Sequence, residues 1–467
     1  MNKPEIPEGN KNDSLKSVAK PRFTTDDWGW VVLSIGMGIG AGIAMVPIPV
    51  RLCGIWIFML VGLIGYPAIY IFQKMYIDVM CESDTNLPYS DMLSRYLGKK
   101  WGTMLGFLYF LMLIIWFFVY TELIVRDSAS YLVTLGLLKT NLSDNFFYVF
   151  GLIAVLMLIA SQGVKLLFKV GTFLTLTNLL IILALGLLII PFWSFSNTSP
   201  PPSPWTFSKK GLWLLPFALT SILFIQSLSP MVVFFRNKSE NKADAQFRSR
   251  RVHKIAFLTL FSVIFVYIMS FSFTMTEAQA QVAYNDNISA LALLAQMHKW
   301  PLLQTFEVTL ETCAILASFF SIFIALHENL NSMLSKALAK LKPELTNERF
   351  MNILIAVSLI VAAGTITLTD TPILMFTSIC SPIFGIIGCL IPAWMVYKLP
   401  HLKKYRGAKL VFIVIIGILL CLSPLAALLI HKKDAPKIEK DKIENVQPKI
   451  LKENSACLSK NGKAILN

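Results

Sequence analysis

Apolar stretches of about 20 residues recur along this chain of 467 residues, from about position 27 to position 430. A helix that crosses the hydrocarbon core of a bilayer needs ~20 mostly apolar residues. Only 15% of the residues are charged, whereas soluble domains contain about a quarter. The pattern therefore predicts an all-α integral membrane protein and leaves little material for a soluble domain.

We predict eleven transmembrane helices, numbered here as spans 1 to 11. Their expected ranges are 28–50, 54–76, 101–124, 146–163, 168–191, 211–235, 255–275, 305–327, 350–368, 373–397 and 409–430. The transporter domain would then cover 28–430, with two repeats at about 28–191 and 211–397 and an extra helix at 409–430. An odd number of spans places the two termini on opposite sides of the membrane.

The distribution of basic residues predicts a cytoplasmic N-terminus. With that orientation the inside segments carry 24 Lys and Arg and the outside loops six, as the positive-inside rule requires. The clearest contrast lies between the loop at 236–254, which has seven, and the longer loop at 276–304, which has one. This pattern is expected for a multi-pass protein of the bacterial inner membrane.

Both tails are predicted to lie outside the membrane domain. Residues 1–27 are polar and lack the apolar core of a secretory signal, so they are expected to form a cytoplasmic tail. The lysine-rich tail at 431–467 has mixed charge and few aromatic residues, a composition typical of disorder. Neither tail is assigned a binding role.

Span 1 contains a dense run of glycines, Gly36, Gly38, Gly40 and Gly42, in the middle of the predicted crossing. Each glycine weakens a helix by about 1 kcal/mol relative to alanine, so the run indicates an unwound segment. The same spacing also suits a close-packing face of small residues. The sequence of span 1 alone leaves both interpretations open.

Span 6 contains a second candidate interruption, Gln226-Ser227-Leu228-Ser229-Pro230. Proline removes a backbone donor and clashes with the preceding turn. Spans 1 and 6 begin two halves of five spans each, and interrupted helices at matching positions of two halves point to a transporter binding site. The pair therefore favours a five-plus-five inverted repeat with broken helices 1 and 6.

Unwound backbone offers free peptide groups that suit an amino acid zwitterion. Amides near Ala41 and Gly42, at the start of a half-helix, would bind a carboxylate. Carbonyl and hydroxyl oxygens would accept hydrogen bonds from an ammonium group. The candidate acceptors are the carbonyls near Gly36, Ile39 and Gln226 and the hydroxyls of Ser227 and Ser229.

Two ionisable residues within the spans are candidates for proton coupling, because charges at membrane depth are costly. Glu311 lies in span 8, one turn after Glu307, and is expected either to exchange a proton or to form a permanent structural hydrogen bond. Lys169 begins span 5 and is expected either to snorkel to headgroups or to occupy the position of a coupling cation.

Span 3 supplies one aromatic candidate and one ion pair. Trp116 is the residue of this span expected to line the binding pocket. Glu122 and Arg126 are one helical turn apart, and we expect an ion pair at the protein surface.

Four segments resemble the hydroxy and aromatic amino acid permeases of the amino acid, polyamine and organocation superfamily. They are GMGIGAGIAMVP at 36–47, SLSPMVVFF at 227–235, TLETCAILASFF at 309–320, and the region 381–409 with KLPHLKKYRG. The resemblance runs from about residue 27 to residue 430 and is greatest to the serine and threonine branch.

The resemblance implies an eleven-span, leucine-transporter-like fold and proton-coupled uptake. It places Gly36, Gly40 and Gly42 on the unwound part of span 1 and Ser229 on that of span 6. It matches Glu311 and Lys169 to ionisable residues of relatives. Two positions depart from the family, since Ser227 replaces an Asn and no lysine occurs near Ile324.

The expected function is proton-coupled symport of a small amino acid, serine or threonine, into the cytoplasm by alternating access. An aromatic substrate or sodium coupling, with Ser318 and Ser321 as sodium ligands, is the alternative. An ion channel or a non-transporting amino acid sensor would be a different class of protein. No motif of an enzyme, a metal site, a cofactor or a nucleic-acid partner occurs, so substrate, protons and lipid are the expected partners.

Overall fold

A computed structural model describes residues 21–39, 46–84, 86–87, 89–134, 136–161, 164–198, 200–285, 348–369 and 373–433, together with parts of 290–334. For residues 164–170 it describes the backbone alone. The two tails, including residues 1–20 and 434–467, lie outside the described residues, as do Gly40, Ala41, Gly42 and Glu311.

The described chain is helical. The helices are α1 (Thr25–Gly38), α2 (Pro47–Cys53), α3 (Ile55–Glu82), α4 (Tyr89–Leu97), α5 (Lys99–Thr134), α6 (Phe146–Ala160), α7 (Val164–Leu188), α8 (Pro204–Thr220), α9 (Ile225–Lys238), α10 (Lys242–Thr274), α11 (Glu277–Asn285), α12 (Glu348–Thr367), α13 (Ile373–Phe384), α14 (Ile391–Lys398) and α15 (Ala408–Lys433). A π-helical segment, Gly385–Leu390, joins α13 to α14, and a 3₁₀ segment, Pro400–Tyr405, precedes α15.

Eight helices of the described residues are long and apolar enough to cross a membrane. One of them includes residues 312–331 of predicted span 8, and a shorter apolar helix, Phe146–Ala160, lies in predicted span 4. Predicted span 6 is divided between α8 and α9, and of predicted span 1 the structure describes α1 and α2, with residues 40–45 outside the described part. The fold is therefore an all-helical membrane fold.

The outer surface of the bundle is apolar, as expected for a protein surrounded by lipid. Leu63 of α3 is 72% exposed, Phe147 of α6 is 83% exposed and Leu180 of α7 is 70% exposed. A soluble monomer rarely exposes such extensive apolar surface.

The N-terminus of α1 is fixed by local hydrogen bonds and an ion pair. The backbone N–H of Thr24 donates to Asp27 Oδ2 (2.8 Å), and the Thr24 hydroxyl donates to the same oxygen (2.7 Å). A carboxylate in the first turn also interacts favourably with the helix dipole. Arg248 of α10 donates to both oxygens of Asp27, so α1 and α10 are joined at this end.

Further contacts at the same end of the bundle form a layer that we call the cytoplasmic ionic layer, after the predicted orientation. Asp78 of α3 accepts from Arg250 of α10 (2.5 Å), and Glu82 accepts from Lys404 (2.6 Å). Asp26 pairs with Lys238 and Asp84 with Lys242. The layer therefore connects α1, α3, α9, α10 and the 3₁₀ segment.

Helix α1 lies inside the bundle and packs against α7, α9 and α10. Helix α10 also packs against α3, and α15 packs against α8, α13 and the π segment. These contacts place the C-terminal end of α1, with Gly36 to Ile39, among helices from both predicted repeats.

Candidate functional site

Helix α1 ends in the middle of predicted span 1. Gly38 is its last residue, and Ile39 leaves the helical region with φ −81° and ψ 88°. The Ile39 N–H still donates to the Ile35 carbonyl (2.8 Å). Residues 40–45 lie outside the described part, and α2 begins at Pro47. The predicted ligands Gly40, Ala41 and Gly42 therefore remain predictions.

The Ile39 carbonyl faces a serine of predicted span 8. The Ser318 hydroxyl donates to this oxygen (2.9 Å). Ser318 is 4% exposed and Ile39 is 1% exposed, so the contact is buried. A carbonyl oxygen has two lone pairs and can accept a second hydrogen bond or contact a cation.

Gly36 and Gly38 allow neighbouring helices to approach α1 closely. A Cβ on Gly36 would clash with Thr175 Oγ1 of α7, and a Cβ on Gly38 would lie 2.6 Å from Leu260 Cδ1 of α10. The glycine run thus serves close packing up to Gly38, where the helix also ends. The close-packing interpretation therefore applies to Gly36 and Gly38, and an unwound segment at Gly40 and Gly42 stays a prediction.

Thr175, and not Lys169, is the residue of α7 that meets Gly36. Lys169 lies in α7 six residues earlier, about 9 Å along a helix at 1.5 Å per residue. Its side chain lies outside the described part. The Thr175 hydroxyl donates to the Gly171 carbonyl (2.7 Å). The prediction that the Lys169 cation takes part in coupling stays untested.

The interruption of predicted span 6 lies five to six residues earlier than expected. Helix α8 ends at Thr220, residues 221–224 are non-helical, and α9 begins at Ile225. Gln226 to Pro230, expected to be unwound, are helical, and the prediction of their position was wrong. Pro230 removes one hydrogen bond near the start of α9 and can be tolerated there, because a single proline more often kinks a helix than ends it.

Ser227 joins the beginning of α9 to α1. Its hydroxyl donates to the Phe224 carbonyl (2.8 Å) and lies 3.0 Å from the hydroxyl of Ser34. Both serines are fully buried. The two predicted broken spans therefore meet through a direct polar contact across 193 positions of the chain.

Ser229 and Gln226 differ in their hydrogen bonding. The Ser229 hydroxyl accepts from the Tyr89 N–H of α4 (3.1 Å). The Tyr89 hydroxyl donates to the Ile387 carbonyl in the π segment (3.2 Å). Gln226 Oε1 is buried and has no hydrogen-bond partner among the described residues. Gln226 therefore has free capacity to accept a hydrogen bond, whereas Ser229 helps to position α4.

Trp116 lies in an aromatic cluster of α5 and α13. Its ring centroid is 5.7 Å from that of Tyr120 and 6.5 Å from that of Phe384. Its Nε1 is buried without a hydrogen-bond partner in the described part of the chain. The adjacent Phe117 contacts Phe319 (5.4 Å), the neighbour of Ser318. Trp116 is therefore next in sequence to Phe117, whose ring contacts Phe319 beside the Ser318–Ile39 hydrogen bond.

Glu122 and Arg126 form the predicted ion pair (3.0 Å), but it does not lie at the surface. The side chain of Glu122 is 0% exposed and that of Arg126 is 10% exposed. The surface location was wrong because the C-terminal half of α5 is covered by other helices, which span 3 alone did not reveal.

One cavity of about 320 Å³ lies away from these residues. It is lined at the ends of α2 and α8 and the start of α3 by residues that include Gly54, Lys210 and Glu277. None of the predicted binding residues lines it.

Sequence reasoning missed three groups of this site: Ser34, Thr175 and the Gln73–His253 pair, whose Oε1 and Nε2 atoms are 3.1 Å apart. Ser34 is an isolated polar residue within an apolar stretch, and that pattern was the available signal for it. Gln73 and His253 each adjoin a lysine, Lys74 and Lys254, and did not stand out. Within the described ranges, no group of three metal-ligating side chains occurs.

No protein-family model matches the sequence. A serine transporter of Escherichia coli O157:H7 is 44% identical over 412 residues, covering 87% of this chain and 93% of that protein. A probable serine transporter of Escherichia coli K12 has the same identity and coverage. The threonine/serine transporter TdcC of Escherichia fergusonii is 25% identical over 84% of this chain and 93% of its own length.

Two solved transporter structures share the fold at 12% identity. The manganese transporter of Eremococcus coleocola has a TM-score of 0.52, with 94% of this chain and 96% of that chain covered. MhsT in complex with L-phenylalanine has a TM-score of 0.51, with 86% and 97% covered. The relatives are named transporters, so this chain is a multi-pass membrane transporter and not an enzyme. The chain belongs to the serine transporter family of the hydroxy and aromatic amino acid permeases.

Proposed function

We propose that the protein is a secondary active transporter that carries serine or threonine into the cytoplasm together with protons, by alternating access. The observation that carries this proposal is the buried contact between Ser34, near the end of α1, and Ser227, near the start of α9, inside the bundle. Non-helical backbone at membrane depth is tolerated where it lines a cavity or is buried in protein. The names of the relatives supply the substrate class.

The proposed architecture has eleven spans in a five-plus-five inverted repeat, with broken helices 1 and 6, in a bacterial inner membrane. The zwitterion would bind at the ends of α1 and α9. Amides near Gly40, Ala41 and Gly42 would hold its carboxylate. Carbonyl oxygens near Gly36, Ile39 and Gln226 would accept from its ammonium group. Gln226 Oε1 and Trp116 Nε1 have free hydrogen-bonding capacity for a polar substrate, and Ser227 and Ser229 position α9.

Proton coupling would use Glu311 or Lys169, which the sequence places within spans 8 and 5. Neither requires a cofactor. The N-terminus would be cytoplasmic, since the basic residues of the ionic layer then lie on the inside.

Sodium coupling is the second candidate mechanism, favoured by one observation. The Ser318 hydroxyl and the Ile39 carbonyl are two oxygens 2.9 Å apart between α1 and predicted span 8, and Na⁺ prefers oxygen ligands of this kind. The two mechanisms predict different ion requirements for accumulation.

Reconstitution of the purified protein in liposomes tests the function. With an alkaline interior, we expect accumulation of labelled serine, inhibition by threonine, and loss of accumulation when a protonophore is added. Accumulation that requires a sodium gradient would favour the second mechanism. No accumulation of serine, threonine or an aromatic amino acid under either gradient would contradict the proposal.

A substitution at Ser227 tests the site. Ser227→Ala removes the contact with Ser34, and we expect the KM for serine to rise about tenfold, since a buried hydrogen bond contributes ~1 kcal/mol or more. Ser208→Ala, on the exposed part of α8, serves as the control and should leave the KM unchanged. An unchanged KM in Ser227→Ala would show that the contact with Ser34 does not contribute to substrate binding.

A further inference from the structure

The buried histidine of α10 has surroundings that are unusual for a residue with only a structural role. His253 is 1% exposed. Its ring stacks on Tyr70 of α3 (5.0 Å, 27°) and contacts Phe224 (5.6 Å) and Phe257 (6.1 Å). His253 lies two residues before predicted span 7, and burying an ionisable side chain without an opposite charge is costly, so the residue is a candidate functional group.

The hydrogen bond of His253 leaves one ring nitrogen available. Its Nε2 lies 3.1 Å from Gln73 Oε1 of α3. With the Gln73 amide in this orientation, Nε2 carries the hydrogen and donates it. The Nδ1 atom is buried and has no partner among the described residues. Protonation at Nδ1 would therefore keep the bond to Gln73 intact, because Nε2 donates in both forms.

His253 lies between the cytoplasmic ionic layer and the interruption of span 6. Phe224, which contacts its ring, is the last non-helical residue before α9. On the other side, Arg250 lies three residues earlier in α10 and pairs with Asp78. A movement that opens the ionic layer would bring water first to this histidine.

The charged groups around His253 are cations and two paired carboxylates, Asp78 and Asp27. Helix α3 contributes Lys74, which acts electrostatically on the ring, and the hydroxyl of Tyr70. Helix α10 contributes Arg250 and Lys254, and the segment 221–224 contributes no ionisable group. Asp27 of α1 is paired with Arg248. Burial among these groups favours the neutral ring, whereas hydration would favour the charged ring.

We propose that His253 is the cytoplasmic proton-release group of the transport cycle, which binds the coupled proton at Nδ1 and passes it to cytoplasmic water when the ionic layer opens. This inference rests on the proposed proton-coupled function and adds a residue to it. Gln73 is the positioning residue, since its Oε1 fixes the tautomer that leaves Nδ1 available.

The test compares two transport modes in liposomes. His253→Gln cannot bind a proton but can still hydrogen-bond Gln73. We expect it to retain serine counterflow, which needs no net proton movement, and to lose accumulation driven by a pH gradient. His401→Gln, at an exposed histidine of the 3₁₀ segment, is the control and should accumulate serine like the wild type.

A second variant covers the case in which His253→Gln does not fold. Gln73→Met keeps the imidazole and removes its acceptor, so the pH of half-maximal uptake should move to a lower value. A purely structural histidine would not move this pH profile.

Three results would overturn the inference: wild-type accumulation by His253→Gln, loss of counterflow in a folded His253→Gln, or an unshifted profile in Gln73→Met. Absence of gradient-driven uptake in the wild type would instead contradict the proposed proton-coupled function itself.

Discussion

The hydroxyl groups near the ends of α1 and α9 are already bound within the protein. Ser34 pairs with Ser227, Ser318 donates to Ile39, and Thr175 donates to Gly171. The groups with free capacity are amides and an indole, Gln226, Trp116 and Asn178, the last with both polar atoms buried and without partners in the described residues. Leaving a buried polar group without a hydrogen bond costs ~1–3 kcal/mol of stability. A polar substrate would therefore gain the most binding free energy by forming hydrogen bonds with these groups.

Gly36 and Gly29, both in α1, provide a matched pair for testing close packing. Gly36→Ala places a Cβ against Thr175 Oγ1, so we expect a loss of ~1–3 kcal/mol in the free energy of unfolding. Gly29→Ala, in the same helix with nothing within 4 Å, should be neutral or stabilising by up to about 1 kcal/mol. Thermal unfolding in detergent gives both values.

A double variant shows whether Thr175 causes the loss. Thr175→Ala removes the clashing oxygen, so Gly36→Ala with Thr175→Ala should lose less than the sum of the single changes. Strict additivity would show that the strain of Gly36→Ala arises elsewhere.

The residue types of the site were predictable, but their contacts were not. Gly36, Ser227 and Trp116 stand out as glycine, hydroxyl and aromatic residues in apolar helices. The contact of Ser34 with Ser227 joins residues 193 positions apart, and hydropathy carries no information on such pairs. Predictions for Gly40, Ala41, Gly42, Glu311 and the Lys169 side chain stay untested because they lie outside the described part.

At the scale of elements, composition predicted that span 6 would be interrupted but placed the break too late. Proline and polar residues suggested Gln226 to Pro230, whereas the chain leaves the helix at 221–224. The serines at Ser221 and Ser227 instead bond to carbonyls three residues earlier. The π segment Gly385–Leu390 was missed, because the close approach of Gly385 to the Gly417 carbonyl, 2.7 Å from an ideal Cβ, is a tertiary contact.

The buried ion pair within α5 should contribute more to the free energy of unfolding than an exposed pair of the cytoplasmic ionic layer. Arg126→Met leaves Glu122 charged and buried, and we expect a loss of ~3–5 kcal/mol in the free energy of unfolding. Lys242→Met, which breaks the exposed pair with Asp84, should cost no more than about 1 kcal/mol. Similar shifts in thermal unfolding for the two variants would contradict the burial of Glu122.

At the scale of the whole molecule, the ionic layer makes stability depend on pH. Burial alone would raise the pKa of Asp27, but hydrogen bonds from Arg248 and Thr24 and the Arg248 charge lower it below its ordinary value. A carboxylate with a lowered pKa stabilises the folded state above its unfolded pKa of about 4, and this contribution is lost as pH falls through the folded pKa.

We therefore expect Asp27→Asn to be less stable than the wild type by a constant amount above about pH 4. The difference should shrink at lower pH. Thermal unfolding in detergent between pH 7 and pH 3 measures it. Asp26→Asn, at a partly exposed carboxyl, is the control and should show a smaller difference. A difference that stays constant down to pH 3 would disagree with a lowered pKa of Asp27.

The general fold was readable from the sequence, since hydropathy alone predicted a helical membrane protein. The structure contains eight helices of sufficient length and apolarity in its described part, and the interruption at 221–224 explains why the two pieces of span 6 fall below that length. Positions of the breaks depend on packing between helices that are distant in sequence. Hydropathy does not encode that packing.

Helix α1 is attached differently at its two ends, and this difference has a mechanical consequence. Asp27 is held by charged hydrogen bonds, whereas the regular helix ends one residue before Ile39. The two residues are about 18 Å apart along the helix. A tilt of about 10° at Ile39 would move Asp27 by about 3 Å, enough to separate it from Arg248. A small rotation of α1 at its Ile39 end would therefore be enough to release the Asp27–Arg248 ion pair at the other end of the helix.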